Sequence, residues 1–322
     1  MAWKTNALGV DISSAQKGLE WDVIAPFIDF AMIRAGGTDK SNATVAYDSQ
    51  FAINIQGAYD NNVPVGVYFV PDPELNGVLQ VPLGGYKSGA RAKDPEYSFL
   101  QKVLQNKTFQ FIALVFANFS KDPVWNQANL EYLTNALQEG MAAGELPKVP
   151  IVLCANEDAV NKNFFYDKTN AFFDFVARKE SDMLRVWSLS SVPGINVTTN
   201  WSDVRNHLPA DTIKPTYLNS TKYQPLFWQF AIDKLPMLKS GANVNFGMNL
   251  STMTRANLDT WMKFSRTPVV IPPVGHNCGS GTHWDETSQK CVDDVIVVPP
   301  TGDVKTQIAV HLRAIADLIE KM

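Results

Sequence analysis

The sequence predicts an α/β fold: a single (β/α) TIM-like barrel, then a proline-rich linker, a small Cys loop and a C-terminal helix. Three apolar runs carry the barrel prediction. Gly9-Val10-Asp11-Ile12-Ser13-Ser14-Ala15-Gln16 is a short apolar run that meets a carboxylate and passes into turn-forming residues. Phe30-Ala31-Met32-Ile33-Arg34-Ala35 breaks at Gly36-Gly37, and Val63 to Val70 breaks at Pro71-Asp72-Pro73. Amphipathic segments at 21–28 and 51–61 separate them. Strand, helix, strand, helix, strand is the order of a parallel sheet with outer helices. A buried parallel strand reads as a near-continuous apolar run, because both of its faces are covered.

The remaining elements follow in order. A loop rich in Gly, Pro and Lys runs over 71–94 and is long for a barrel connection. Residues 98–105 are expected to be helical, and 109–119 form the fourth strand. A helix is expected over 122–143, with Val124, Leu130, Leu133 and Leu137 on one stripe. The fifth strand, 149–154, opens into Asn156-Glu157-Asp158. Residues 170–179 are expected to be helical, 183–189 to be the sixth strand, 216–218 a weak seventh and 226–231 the eighth. A helix over 250–264 is expected to close the domain.

The barrel is therefore assigned to 1–266. Residues 267–302 form a linker, in which Pro268, Pro272 and Pro273 impose extended backbone, with a small Cys278–Cys291 module. Residues 303–322 form a terminal helix. Its Ile308, Leu312, Ile315, Ile319 and Met322 follow the 4-3-4-3 spacing of a coiled-coil seam. Two roles stand for it: docking on its own barrel, or assembly with copies of itself or another chain.

Bulk properties exclude several classes. The chain has 322 residues, 45% hydrophobic and 19% charged, with a net charge of -4. That charge offers no general attraction to nucleic acid or to anionic membrane. No stretch approaches the roughly twenty apolar residues of a membrane span. Met1 to Asn6 lacks the apolar core of a signal peptide, so synthesis in the cytoplasm without that route is expected. Three cysteines are too few for a disulfide-stapled scaffold, and Cys154 reads as a buried small hydrophobe. His276, Cys278, His283 and Cys291 are possible metal ligands, but the tight Cys-x2–4-Cys pair common in zinc sites is absent. A disulfide between Cys278 and Cys291 is the expected pairing, with free thiols and zinc as alternatives. No cofactor is expected.

The opening residues carry a resemblance. Gly9-Val10-Asp11-Ile12-Ser13-Ser14 with Trp21, Phe30 to Ala35, Tyr47-Asp48, Phe51, Asn54, Ala58 and Val65-Gly66-Val67-Tyr68 are similar to family 25 glycoside hydrolases. These are barrel muramidases, the phage and bacterial lysozymes. Phe227-Trp228-Gln229-Phe230 resembles the family again near the barrel's end. The resemblance implies a site at the carboxyl ends of the strands, with three clusters of carboxylates.

Breaking a glycosidic bond needs a proton donor at the leaving oxygen and a group that stabilises the oxocarbenium-like centre. Asp11 fills the first place the resemblance implies, either as a site residue or as a strand-end cap. The second is an Asp-x-Glu ending the fourth strand. Aligned without gaps it becomes Phe116 and Asn118, and shifted by one, Val115 and Ala117. The third is an Asp-x-Asp after the Phe-Trp-Gln strand, here Asn243 and Asn245. An amide has no acid proton, and general acid–base catalysis is worth about 10²–10⁴-fold. Glu74, Glu157 and Asp158 are nearby acids that relocated chemistry would use. Asp11, Tyr68, Asn118, Trp187, Trp228, Gln229, Asn243 and Asn245 are residue types that bond and stack on sugars without cutting them. For Trp228, core and pocket both stand.

The expected function is a non-catalytic, lysozyme-like structural or attachment protein of a phage virion or tail that contacts cell-wall or capsule glycan. Its partners are expected to be other virion proteins, met through the terminal helix, or further copies of itself. The alternatives are an active peptidoglycan muramidase with relocated acids and a glycan-binding adhesin module.

Overall fold

The computed structural model describes residues 3–39, 44–72, 91, 94–117, 123–155, 184–189, 200–210, 212–213, 226–263, 282–285 and 290–293. The chain divides into two units, Met1–Thr267 and Pro268–Met322.

The first unit is a closed barrel. Its strands are β1 (Asn6–Ile12), β2 (Phe30–Asp39), β4 (Val65–Val70), β5 (Phe111–Phe116), β6 (Ile151–Ala155), β7 (Leu184–Leu189), β8 (Phe227–Pro236) and β9 (Asn243–Thr254). They pair in the order β1-β9-β8-β7-β6-β5-β4-β2, and β1 pairs with β2 to close the ring. A short strand β3 (Thr44–Tyr47) hairpins onto β2 beyond the ring. Strands β1, β2 and β4 to β8 run parallel to their neighbours, but β9 is antiparallel to both β8 and β1.

That antiparallel closure departs from the expected (β/α) repeat. The helix expected over 250–264 is instead the end of β9 followed by a helix at Arg255–Met262. Period two explains it. Phe246, Met248 and Leu250 join the outer core, while Gly247, Asn249 and Ser251 alternate with them. The expected strand at 216–218 and helix at 170–179 lie outside the described residues. So do Cys278, the linker prolines and the terminal helix with Ile308, Leu312, Ile315, Ile319 and Met322. In the second unit, Thr282–Asp285 and Lys290–Asp293 form an antiparallel pair that sets Trp284 opposite Cys291.

Helices cover the ring. They are α1 (Trp21–Ile24), α2 (Phe51–Asp60), α3 (Pro95–Leu104), α4 (Pro123–Ala142) and α5 (Arg255–Met262). Each start has a local cause where a cap is present. Asp94 accepts the Tyr97 N–H at 2.7 Å ahead of Pro95, and Thr254 caps α5 through the Asn257 N–H. No helix among the described residues is long and apolar enough to cross a membrane.

Strand alternation divides the core in two. Outward residues such as Leu8, Val10, Ile33, Val67, Phe69, Ile112 and Leu114 pack with the helices. Inward residues, including Phe30, Met32, Phe111, Ala113, Val152, Cys154 and Phe227, fill the barrel. Gly9 and Gly66 leave the space that the Phe30 and Phe111 rings occupy. Phe227 stacks 5.1 Å from Phe111 and lies tilted 5.0 Å from Phe30, and Trp261 of α5 joins both Phe111 and Phe227. This aromatic plug fills the amino end of the barrel and leaves the polar interior groups at the carboxyl end.

Candidate functional site

The site grows from Asp11, near the end of β1. In register it lies between Met32 of β2 and Gly247 of β9. Its Oδ1 accepts from Gln229 Nε2 at 2.7 Å and from Asn249 Nδ2 at 2.9 Å. Asn249 is itself held, because Trp187 Nε1 donates to its Oδ1 at 2.9 Å and its Nδ2 also donates to the Gly247 carbonyl at 3.1 Å. Burial raises the Asp11 carboxyl above its ordinary range, and the bonds from Asn249 and Gln229 oppose that rise.

Around it stand residues from neighbouring strands. Tyr68 of β4 meets the Trp187 ring edge-on, 6.2 Å between centroids and 77° between planes. Its hydroxyl is pushed well above the usual phenol range, first by burial and then by the negative charges of Asp11 and Asp48. A hydrogen bond from Ser13 and the charge of Arg34 act the other way. Arg34 lies beside Tyr68 in the β2–β4 register and is half-buried. Its Nε makes a long 3.5 Å contact with the Gly36 carbonyl, and no carboxylate bridges it among the described residues. Asp48 is committed to the backbone, accepting the Ser14 N–H at 2.9 Å and the Gln50 N–H at 3.0 Å.

The turn after β1 is built by a reciprocal cap. The Ser13 N–H donates to Gln16 Oε1 at 2.8 Å, and Ser13 Oγ accepts from the Ala15 N–H. Gln16 Nε2 then donates to the Asn245 carbonyl at 2.6 Å, tying this turn to the start of β9. Where β8 and β9 run on past the ring, Asn243 and Asn245 are exposed.

The structure brings together Asp11, Tyr68, Trp187 and Gln229. It separates Trp228, which is buried on the outer side of β8 against Trp3 at 5.3 Å and Phe230 at 5.9 Å. At the fourth barrel strand the two candidate positions part. Phe116 packs in the outer core, while Val115 is the residue of β5 that joins the interior. The inward positions at this end of β5 are Ala113 and Val115. Asn243 and Asn245 are exposed, and the β9 amide that reaches Asp11 is Asn249. Asn118, Glu74, Glu157 and Asp158 lie outside the described residues.

Asn249, Arg34, Asp48 and Gly247 escaped the sequence reading. A signal for Arg34 existed: a cation at the end of an apolar strand, just before Gly36-Gly37. Asn249 was hidden by the helix expected there. Among the described residues, no three His, Cys, Asp or Glu side chains are grouped to hold a metal ion.

No family model and no curated protein matches this chain. Solved structures do resemble it, and they are family 25 lysozymes and endolysins. A family 25 glycosyl hydrolase from Bacillus anthracis is 15% identical, with 80% of this chain and 94% of that chain covered at a TM-score of 0.48. The bacterial lysozyme from Streptomyces coelicolor is 13% identical, covering 80% and 97% at 0.46. The CTP1L endolysin is 12% identical, covering 80% and 69% at 0.48. The likeness is one of fold: a mixed α/β chain closed into an eight-stranded barrel.

Proposed function

We propose that this is a lysozyme-like protein whose barrel mouth binds glycan without cleaving it, serving as a structural or attachment protein of a phage virion or tail. One observation carries the reading: Asp11 is held among amides, and the inward residues ending β5 are Ala113 and Val115. Glycosidases of the two-carboxylate type need a second acid or base on the other side of the scissile bond. Asp48, the other carboxylate acting on Tyr68, is occupied by two backbone N–H groups. What remains suits recognition. Asp11 and Gln229 offer acceptors and donors, Tyr68 offers an aromatic edge with a hydroxyl, and Arg34 offers a cation for carboxylate-bearing glycan.

The seam Ile308, Leu312, Ile315, Ile319 and Met322 supports assembly with other chains, since a helix of that length is marginal alone in water. A second reading, a muramidase working through Asp11, is favoured by the burial that raises its proton affinity.

Purified protein incubated with peptidoglycan separates the two. Sedimentation with the insoluble wall, and no reducing sugar above a buffer control, is the expected result. Turnover that disappears in Asp11→Asn overturns the non-catalytic reading, and failure to sediment overturns glycan binding.

A further inference from the structure

We propose that Trp187 and Asn249 are positioning residues that orient Asp11, saturating Oδ1 inside the barrel and leaving Oδ2 to a ligand's hydroxyl or amide N–H. The inference deepens the glycan reading and rests on it for the class of ligand alone.

An indole N–H only donates, so it selects the oxygen of the Asn249 amide. The nitrogen end is thereby turned towards Asp11 Oδ1 at 2.9 Å and the Gly247 carbonyl at 3.1 Å. Rotating that amide by half a turn would set its oxygen against a carboxylate and a carbonyl, and its NH2 against the indole N–H. All three contacts would be repulsive, so the amide has one orientation. Trp187 is buried and its ring is braced by Tyr68, so the first donor of the chain is itself fixed. Gln229 delivers the second donor to the same oxygen. Both side-chain donors therefore fall on Oδ1 and neither on Oδ2, and the further donor to the carboxyl is Asp11's own backbone N–H. Asp11 keeps partial exposure, and Oδ2 is the oxygen to which no side chain donates.

The chemical class follows. A carboxylate oxygen to which no side chain donates accepts from a neutral O–H or N–H, which a sugar hydroxyl or acetamido group supplies. The charge of Asp11 acts on Tyr68 of β4 and on Cys154 of β6, and Tyr68 in turn feels Arg34 of β2 and Asp48 after β3. Trp187 makes no hydrogen bond to Asp11, so any effect of its N–H on Asp11 must pass through Asn249.

The test follows the Asp11 carboxyl carbon by NMR across a pH titration of the unliganded full chain, with binding of solubilised peptidoglycan fragments measured in parallel. Trp187→Phe keeps an aromatic ring and removes the N–H. Loss of a donor to the charged form raises a carboxyl pKa, so the Asp11 midpoint should move up and fragment affinity should fall about tenfold. Asn249→Ala removes the link directly and should move the midpoint in the same direction; it carries the test if Trp187→Phe does not fold. A folded variant of either kind with an unmoved Asp11 midpoint overturns the relay. Moved midpoints in a protein that binds no fragments leave the relay standing and overturn the glycan reading.

Discussion

Gly247 faces Asp11 across the antiparallel β1–β9 pair, so closely that a Cβ on Gly247 would come within 1.9 Å of Asp11 Oδ1. The same atom would sit 2.3 Å from Gln229 Nε2. A hydrogen at this position is thus what lets the carboxylate and its amide donor meet.

Gly247→Ala should therefore displace Asp11 and break its bond with Gln229. Overpacking of this kind costs about 1–3 kcal/mol. The expected result is a lower urea midpoint together with loss of glycan sedimentation. Unchanged sedimentation in the folded variant would show that the Asp11–Gln229 geometry does not serve binding.

Asp11→Asn tests the electrostatics of the same site. The folded protein raises the Asp11 pKa by burial. A raised carboxyl pKa contributes stability that is full below the unfolded value and is lost as pH rises through the folded one. At neutral pH the buried charge is thus a cost. The variant should melt at a higher temperature than wild type at pH 7, with the difference closing as the pH falls from the raised folded value to the ordinary aspartate range. A lower melting temperature at pH 7 would mean that the two amide bonds outweigh burial.

Glu145 should behave in the opposite sense. Arg91 donates to it through Nε at 3.0 Å and Nη2 at 2.8 Å, and Tyr97 donates through its hydroxyl at 2.6 Å. The Arg91 hydrogen bond, then that of Tyr97, lowers its carboxyl from 4.5 to about 2. A depressed carboxyl pKa gives stability that is present above the unfolded value and lost as pH falls through the folded one. Glu145→Gln should be less stable than wild type at pH 7, and the gap should close between pH 4.5 and about 2. Because the cluster is partly exposed, added salt should narrow the gap as well. A gap independent of pH would assign the effect to packing.

Removal of residues 303–322 should leave the barrel folded and abolish self-association or incorporation into a larger assembly. Light scattering of full-length and truncated protein, with capture of partners by each, measures this. Two monomeric forms that capture partners equally would assign the helix to its own barrel.

Some of this was legible in the residues themselves. Strands β1, β2, β4, β5, β6, β7 and β8 read as apolar runs because a barrel wall is buried on both faces, and burial is written into composition. Asp11 showed as a charge at the end of such a run. Position along the chain was enough for these features. Facing was not, because strand side chains alternate and a slip of one residue exchanges interior for exterior. Thus Trp228 and Gln229 are neighbours in sequence, yet one packs on Trp3 and the other on Asp11. Phe116 and Val115 face opposite sides of β5 for the same reason. Nor could local pattern show that Asn249, 238 positions from Asp11, would become its donor. Only closure of the ring by an antiparallel strand sets them side by side, because hydrogen-bond register across β1 and β9 is a property of the folded sheet and not of either segment alone.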